Sequence, residues 1–292
     1  MKYYLVKSIL FILSILPLKW LHGGGRLIGK LSWLTNSRIR RIAEKNIQLC
    51  FPQLDPAQQQ QLVRDVLNET GKVILETGKV WQSKVEHTLA LVRECENEHL
   101  ISEAQQQGRG VILAIPHYGS WELVGLYCAS RYAMTSMYAP QDDPQLNRLM
   151  RQVRQRTGAK LVPTDINGIR AMSKALKNTE LVAILPDQSP YENGLFVPFF
   201  GHPCYTMTLL PKLAKKTRAV VLFTCARRLP NGRGFKMVFR PAGADLATLD
   251  LTEATAQMNR DVEKLIMEDP RQYQWTYKRF KRRPEGEASI YR

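Results

Sequence analysis

Apolar residues run almost unbroken from Tyr3 to Leu21, YYLVKSILFILSILPLKWL, interrupted by Lys7, Ser8, Ser14 and Lys19. A helix that crosses a bilayer needs about 20 mostly apolar residues. This stretch therefore suits a membrane anchor, either spanning or lying in the interface. A cleaved leader is the rival reading, but Leu21-His22-Gly23 offers no small-x-small cleavage site. Further on, Leu62, Val66, Glu69, Val73, Leu75 and Val80 recur near the helical period, behind Asp55 as N-cap and Pro56 at the first helical position. Residues 22–84 are predicted to form a helical layer.

From about Val85 the rhythm changes. Val111–Ile115 is a short continuous apolar run, as in a buried strand, and Leu181–Leu185 is another. Helical patterns cover Glu122–Tyr132, Asp143–Thr157, Asn167–Lys177, Tyr205–Lys216 and Thr252–Met267, with extended segments at Met134–Tyr138 and Lys160–Val162. Ala219–Leu229 and Phe235–Arg240 flank Pro230-Asn231-Gly232-Arg233-Gly234, a hairpin signal. The alternation predicts an α/β class, a mixed β-sheet flanked by helices, over residues 85–292. The chain thus divides into an anchor (1–21), a helical region (22–84) and an α/β core that ends in a basic, aromatic tail.

Charge sharpens the picture. Forty-two Lys and Arg against 26 Asp and Glu leave a net +16, which favours an anionic partner: nucleic acid, an acidic membrane face or an acidic carrier protein. The basic stretch after the anchor (Arg26, Lys30, Arg38, Arg40, Arg41, Lys45) places the body on the cytoplasmic side. Five scattered cysteines form no C-x-x-C pair, and His22, His87, His99 and His202 stand apart, so neither a disulfide framework nor a metal site is expected. Gly23–Gly29 lacks dinucleotide-loop spacing.

Candidate chemistry concentrates in Pro116-His117-Tyr118-Gly119-Ser120-Trp121-Glu122, where an apolar strand ends and a helix begins. Loops at strand ends are where a rigid sheet positions reactive groups. Glu122, folded back by a helical turn, can hold one ring nitrogen of His117 protonated and leave the other as a general base. Ser120 lacks a G-x-S-x-G elbow. Asp187, after the strand Leu181–Leu185 and Pro186, reaches the same sheet edge and is expected to support by hydrogen bonding.

His117-x4-Glu122 resembles the H-x4-D/E signature of glycerolipid acyltransferases, specifically the late acyltransferases of bacterial lipid A biosynthesis. Arg41-x-Ala43-x-x-Asn46 with Cys50-Phe51-Pro52 is similar to that family's N-terminal pattern. Asp187-Gln188, Phe196–Gly201 and Thr206 are similar to its central block, and Gln272-Tyr273-x-Trp275 with Lys278–Pro284 to its C-terminal block. These blocks fall in order over nearly the whole chain. Ser120 departs from the usual Asn before Trp-Glu, and Tyr277 from a usual His.

The resemblance implies a glycerolipid acyltransferase-like fold, an acyl carrier protein thioester as donor and a lipid A precursor as acceptor, with no cofactor. It implies the bacterial inner membrane, with the catalytic domain facing the cytoplasm. His117 would deprotonate the acceptor hydroxyl and Glu122 stabilise the imidazolium. Arg154, matching a family position, and Arg156 beside it would bind acceptor phosphates, with Asp187 and Gln188 in support. The same motifs fit another acceptor, such as an ornithine lipid, a glycolipid or a lysophospholipid. The tail Tyr273–Arg283 mixes aromatic and basic residues, which suits an anionic membrane surface; with the apolar N-terminus, that outweighs nucleic acid.

Overall fold

A computed structural model describes residues 2–140 and 142–291, of which 2 and 3 as backbone alone. The ends of the expected anchor and tail, Met1 and Arg292, lie outside the described residues, as does Gln141. The chain begins with four helices: α1 (Lys2–Ile15), α2 (Leu18–Leu34), α3 (Arg38–Cys50) and α4 (Pro56–Gln82). Asp55 and Gln58 close a reciprocal capping box at the start of α4, with Pro56 in its first turn. The apolar stretch Tyr3–Leu21 is not one helix. Pro17 has no amide hydrogen to donate and splits it between α1 and α2. At 1.5 Å per residue the 14 residues of α1 reach only about 21 Å, short of a hydrocarbon core of about 30 Å. Among the described residues no helix is long and apolar enough to cross a membrane.

Gly25 and Gly29 of α2 serve packing. A Cβ on Gly71 of α4 would lie 2.1 Å from the Gly25 carbonyl oxygen, and one on Gly25 2.5 Å from the Lys72 amide nitrogen. The two backbones touch there. Gly71→Leu is therefore expected to pry α2 from α4 and cost roughly 1–3 kcal/mol, visible as a lower urea midpoint.

The rest of the chain alternates: α5 (Val85–Leu89), β1 (Val92–Glu96), α6 (His99–Gln106), β2 (Val111–Ala114), α7 (Trp121–Ala129), β3 (Met134–Met137), α8 (Pro144–Gln155), β4 (Lys160–Val162), α9 (Ile166–Lys177) and β5 (Leu181–Ile184). A separate antiparallel hairpin follows, β6 (Gly194–Phe199) and β7 (His202–Met207), then α10 (Leu209–Thr217), β8 (Val220–Arg228), β9 (Phe235–Pro241) and α11 (Leu251–Met267). The main sheet runs β1-β9-β8-β2-β5-β3-β4 and is parallel except where β8 and β9 form the expected hairpin. An α/β class with a mixed sheet is thus what the chain adopts.

Side chains alternate across the sheet. Ile112 and Ala114 of β2 join Val182 and Ile184 on one face, under α9, α10 and α11. Val111 and Leu113 join Leu181 and Ala183 on the other, under α6 and α7, where Leu18 and Leu21 of α2 also pack. Both faces are covered, which explains why the central strands read as unbroken apolar runs.

Two further expectations need correction. The helix expected from Tyr205 begins at Leu209, because residues up to Met207 pair with β6. The tail is also not a surface strip throughout: Tyr273, Trp275, Arg279 and Phe280 are buried. Trp275 meets Phe51 and Phe200 edge to face, while Asn46 of α3 donates to the Trp275 and Tyr277 carbonyls. The tail ties the helical layer to the core.

Candidate active site

β2 and β5 are adjacent and parallel, with Ala114 opposite Ile184. Three residues past each of these partners stand His117 and Asp187, each behind a proline (Ile-Pro-His, Leu-Pro-Asp). Equal offsets on parallel neighbours bring the two side chains together. The Asp187 Oδ2 accepts the His117 amide at 2.8 Å, and Oδ1 lies 2.9 Å from His117 Nδ1. An ionised carboxylate can only accept, so Nδ1 carries the proton of the neutral ring and Nε2 the lone pair. Burial raises the Asp187 carboxyl, but the His117 ring and amide, helped by Arg279, outweigh it and hold it below the ordinary value. On the other side of the ring, the Gln188 amide nitrogen is 3.2 Å from Nε2 and donates to Gln274 Oε1 at 3.1 Å.

Glu122 is therefore not the partner of the His117 ring. It stands in the first turn of α7 and meets α8: Arg154 Nε donates to Oε2 at 3.1 Å and Nη2 to Oε1, a two-pronged pairing. Burial works against the Arg154 charge, yet the Glu122 carboxylate keeps the guanidinium above its ordinary value. Arg156 turns away from this place. It donates to the carbonyls of Val80, Trp81 and Ser83 at the end of α4 and to Thr88, so it closes a helix terminus rather than facing substrate.

The loop between His117 and Glu122 is fixed from below. Gly119 has φ +62°, and a Cβ there would lie 2.2 Å from the Ala226 carbonyl oxygen. Its amide donates to the Gln272 carbonyl, and the Gln274 amide donates to the His117 carbonyl. Its own carbonyl accepts from Arg228 Nη2 at 2.9 Å. Arg228 is itself held by Glu76, whose oxygens lie 2.7 and 2.9 Å from Nε, and by Glu69 at 3.1 Å.

His117, Glu122, Arg154 and Gln188 all line one cavity of about 460 Å³. Its other walls are mainly apolar, among them Ile115, Leu126, Met134, Met150, Leu161 and Leu209. Asp187 lies behind the ring, almost wholly buried, while 14% of the His117 side chain is exposed. Gly119, Arg228 and Gln274 stand out only in three dimensions. The pairing of His117 with Asp187 left a trace in sequence, the matched Pro-His and Pro-Asp after two apolar runs. Among the described residues no three His, Cys, Asp or Glu side chains gather as metal ligands would.

The pattern of a family described as bacterial lipid A biosynthesis acyltransferase matches residues 1–282. The chain is 30% identical over 286 residues to a lipid A biosynthesis lauroyltransferase of Escherichia coli K12, covering 97% of this chain and 92% of that protein. It is 30% identical over 272 residues to the lipid A biosynthesis palmitoleoyltransferase of the same organism (91% and 87% covered). It is 31% identical over 278 residues to a lipid A biosynthesis acyltransferase of Haemophilus influenzae (92% and 86% covered).

Proposed function

We propose, from the premise that the chain belongs to the bacterial lipid A biosynthesis acyltransferase family, that it moves a fatty acyl group from an acyl carrier protein thioester to a hydroxyl of a lipid A precursor. His117 Nε2 takes the hydroxyl proton as the oxygen attacks the thioester carbonyl. The tetrahedral intermediate collapses by breaking the carbon–sulfur bond, and the proton on Nε2 passes to the departing thiolate. Asp187, in place of Glu122, orients the ring and stabilises the imidazolium. Glu122 holds Arg154 at the cavity wall; the Nη1 donors of Arg154 remain for a phosphate or oxyanion oxygen. No cofactor enters this scheme.

A single observation carries this function: the outer nitrogen of His117 opens on a largely apolar cavity while a buried carboxylate holds the inner one. The test is to incubate the purified protein with acyl carrier protein thioesters and a phosphorylated lipid A precursor, and to weigh the product. A mass gain of one acyl group supports it. Transfer to lysophospholipid, with none to the precursor, assigns a different acceptor.

The same function calls for a lipid surface. Leu5, Phe11, Ile12 and Ile15 of α1 and Trp20, Leu27, Leu31 and Leu34 of α2 are each more than half exposed. Lys7, Lys19, Arg26 and Lys30 are exposed on the same helices. Such a pair suits insertion into an anionic interface, here the cytoplasmic face of the inner membrane, without crossing it. Ile12→Asp combined with Ile15→Asp is expected to weaken sedimentation with phosphatidylglycerol vesicles by about tenfold or more. Undiminished binding would remove α1 from the interface.

A further inference from the structure

α7 has a glycine in its interior, Gly125. A glycine there is less favourable than an alanine, because it adds chain entropy to the unfolded state and packs nothing. Such a position calls for a reason. Close packing is not one: a Cβ on Gly125 would meet no atom within 4 Å. In α2 and α4, by contrast, Gly25, Gly29, Gly71 and Gly78 each have neighbours within 3 Å of the added atom. Nor is Gly125 among the residues with positive φ.

What lies before Gly125 is the cavity. Trp121, Glu122, Gly125 and Leu126 all line it, and the spacing i, i+1, i+4, i+5 makes them one stripe of the helix. The absent side chain thus falls into the same space that His117 and Arg154 face. Gly125 stands just over one turn, about 6 Å, further along α7 than Trp121, away from the loop that carries His117. Arg154 apart, the lining on other elements includes Met134, Met150, Ala159 and Ala183, an apolar wall that suits alkyl.

We propose that Gly125 determines acyl-length specificity: its missing side chain keeps open the part of the cavity that takes the fatty acyl chain beyond the reacting carbonyl. This rests on the acyl-transfer function proposed above. A methyl at this position narrows the space and a leucine side chain blocks it. Longer chains lose more than shorter ones, because only they must pass the obstruction.

Gly125→Ala and Gly125→Leu test this in competition. Purified variants receive equimolar decanoyl, lauroyl, myristoyl and palmitoyl carrier-protein thioesters with a phosphorylated lipid A precursor, and the products are resolved by mass. The ratio of the longest accepted chain to the shortest is expected to fall by about tenfold or more in Gly125→Leu, a methylene-scale pocket effect. It falls less, in the same direction, in Gly125→Ala, which melts no lower than wild type. An unchanged length profile, or an equal loss at every length in the folded alanine variant, overturns the assignment. No transfer of any chain by the wild-type protein overturns the acyl-transfer function itself, and this inference with it.

Discussion

Acyl transfer by His117→Ala is expected to fall by about two to four orders of magnitude, the range for removing a general base. Asp187→Asn is the more telling variant. Asp187 accepts two hydrogen bonds from one residue, the amide of His117 at Oδ2 and Nδ1–H at Oδ1. An asparagine side chain has one acceptor oxygen. If that oxygen keeps the amide, its NH2 group faces Nδ1, which must then accept, and the ring proton moves to Nε2. The base is then lost although the shape is kept. Loss of tautomer control costs roughly 10⁴-fold in a Ser-His-Asp triad, and a fall of about 10³-fold or more in kcat is expected here. Glu122→Gln leaves that tautomer untouched and disturbs the grip on Arg154. Steady-state kinetics on the three variants decides between the partners. Near-normal turnover in Asp187→Asn beside collapse in Glu122→Gln would return the ring-orienting role to Glu122.

Why that pairing was hidden is a matter of faces. The interval from His117 to Glu122 fixes reach but not direction. Because α7 starts at Trp121, Glu122 falls in its first turn and looks toward α8, where Arg154 waits. The strand before Asp187 brings it to the right sheet edge, yet strand order is not written in a sequence. Only the adjacency of β2 and β5 makes it the neighbour of His117. The central strands, the α4 cap and the β8–β9 turn were legible because burial on two faces, a side-chain acceptor and a glycine-rich turn each leave a local mark. The β6–β7 hairpin leaves almost none. Its turn puts Phe200 at φ +47° and Gly201 at φ +77°, a place where Asn-Gly would ordinarily stand. Its paired Pro198 and Pro203 read as strand breakers. They are tolerated because a ribbon of two strands is all edge. β1 escaped for another reason: Arg93, Glu94 and Cys95 are exposed, so it lacks the apolar signal of a core strand.

Loss of Arg228 is expected to have the largest effect on stability. Its side chain is 3% exposed and that of Glu76 is 2% exposed. Arg228→Met leaves Glu76 buried without its main counter-charge, which costs roughly 3–5 kcal/mol. That is a large share of the 5–15 kcal/mol typical of a folded protein. His22 also contacts Glu76, so the damage reaches α2. Removing both charges differs from removing one. A buried ion pair replaced by apolar residues of similar volume is often neutral, so Arg228→Met with Glu76→Leu should regain much of the lost melting temperature. The Gly119 carbonyl still lacks its donor in that double variant, and the loop from His117 to Glu122 loses its clamp. Folding recovers, therefore, while turnover stays low. Acid adds a second handle. Burial raises the Glu76 carboxyl, but Arg228 and His22 outweigh it and hold it below its ordinary 4.5. A carboxyl lowered by folding stabilises the protein fully above its unfolded value and stops doing so as pH falls through the folded one. Wild type should thus lose this stabilisation only below about pH 4.5, and the double variant should show a shallower acid limb in melts taken across that range. A double variant with full turnover would show that the clamp on Gly119 is dispensable. A single Arg228→Met that melts with wild type would show that the buried pair does not hold the helical layer to the sheet.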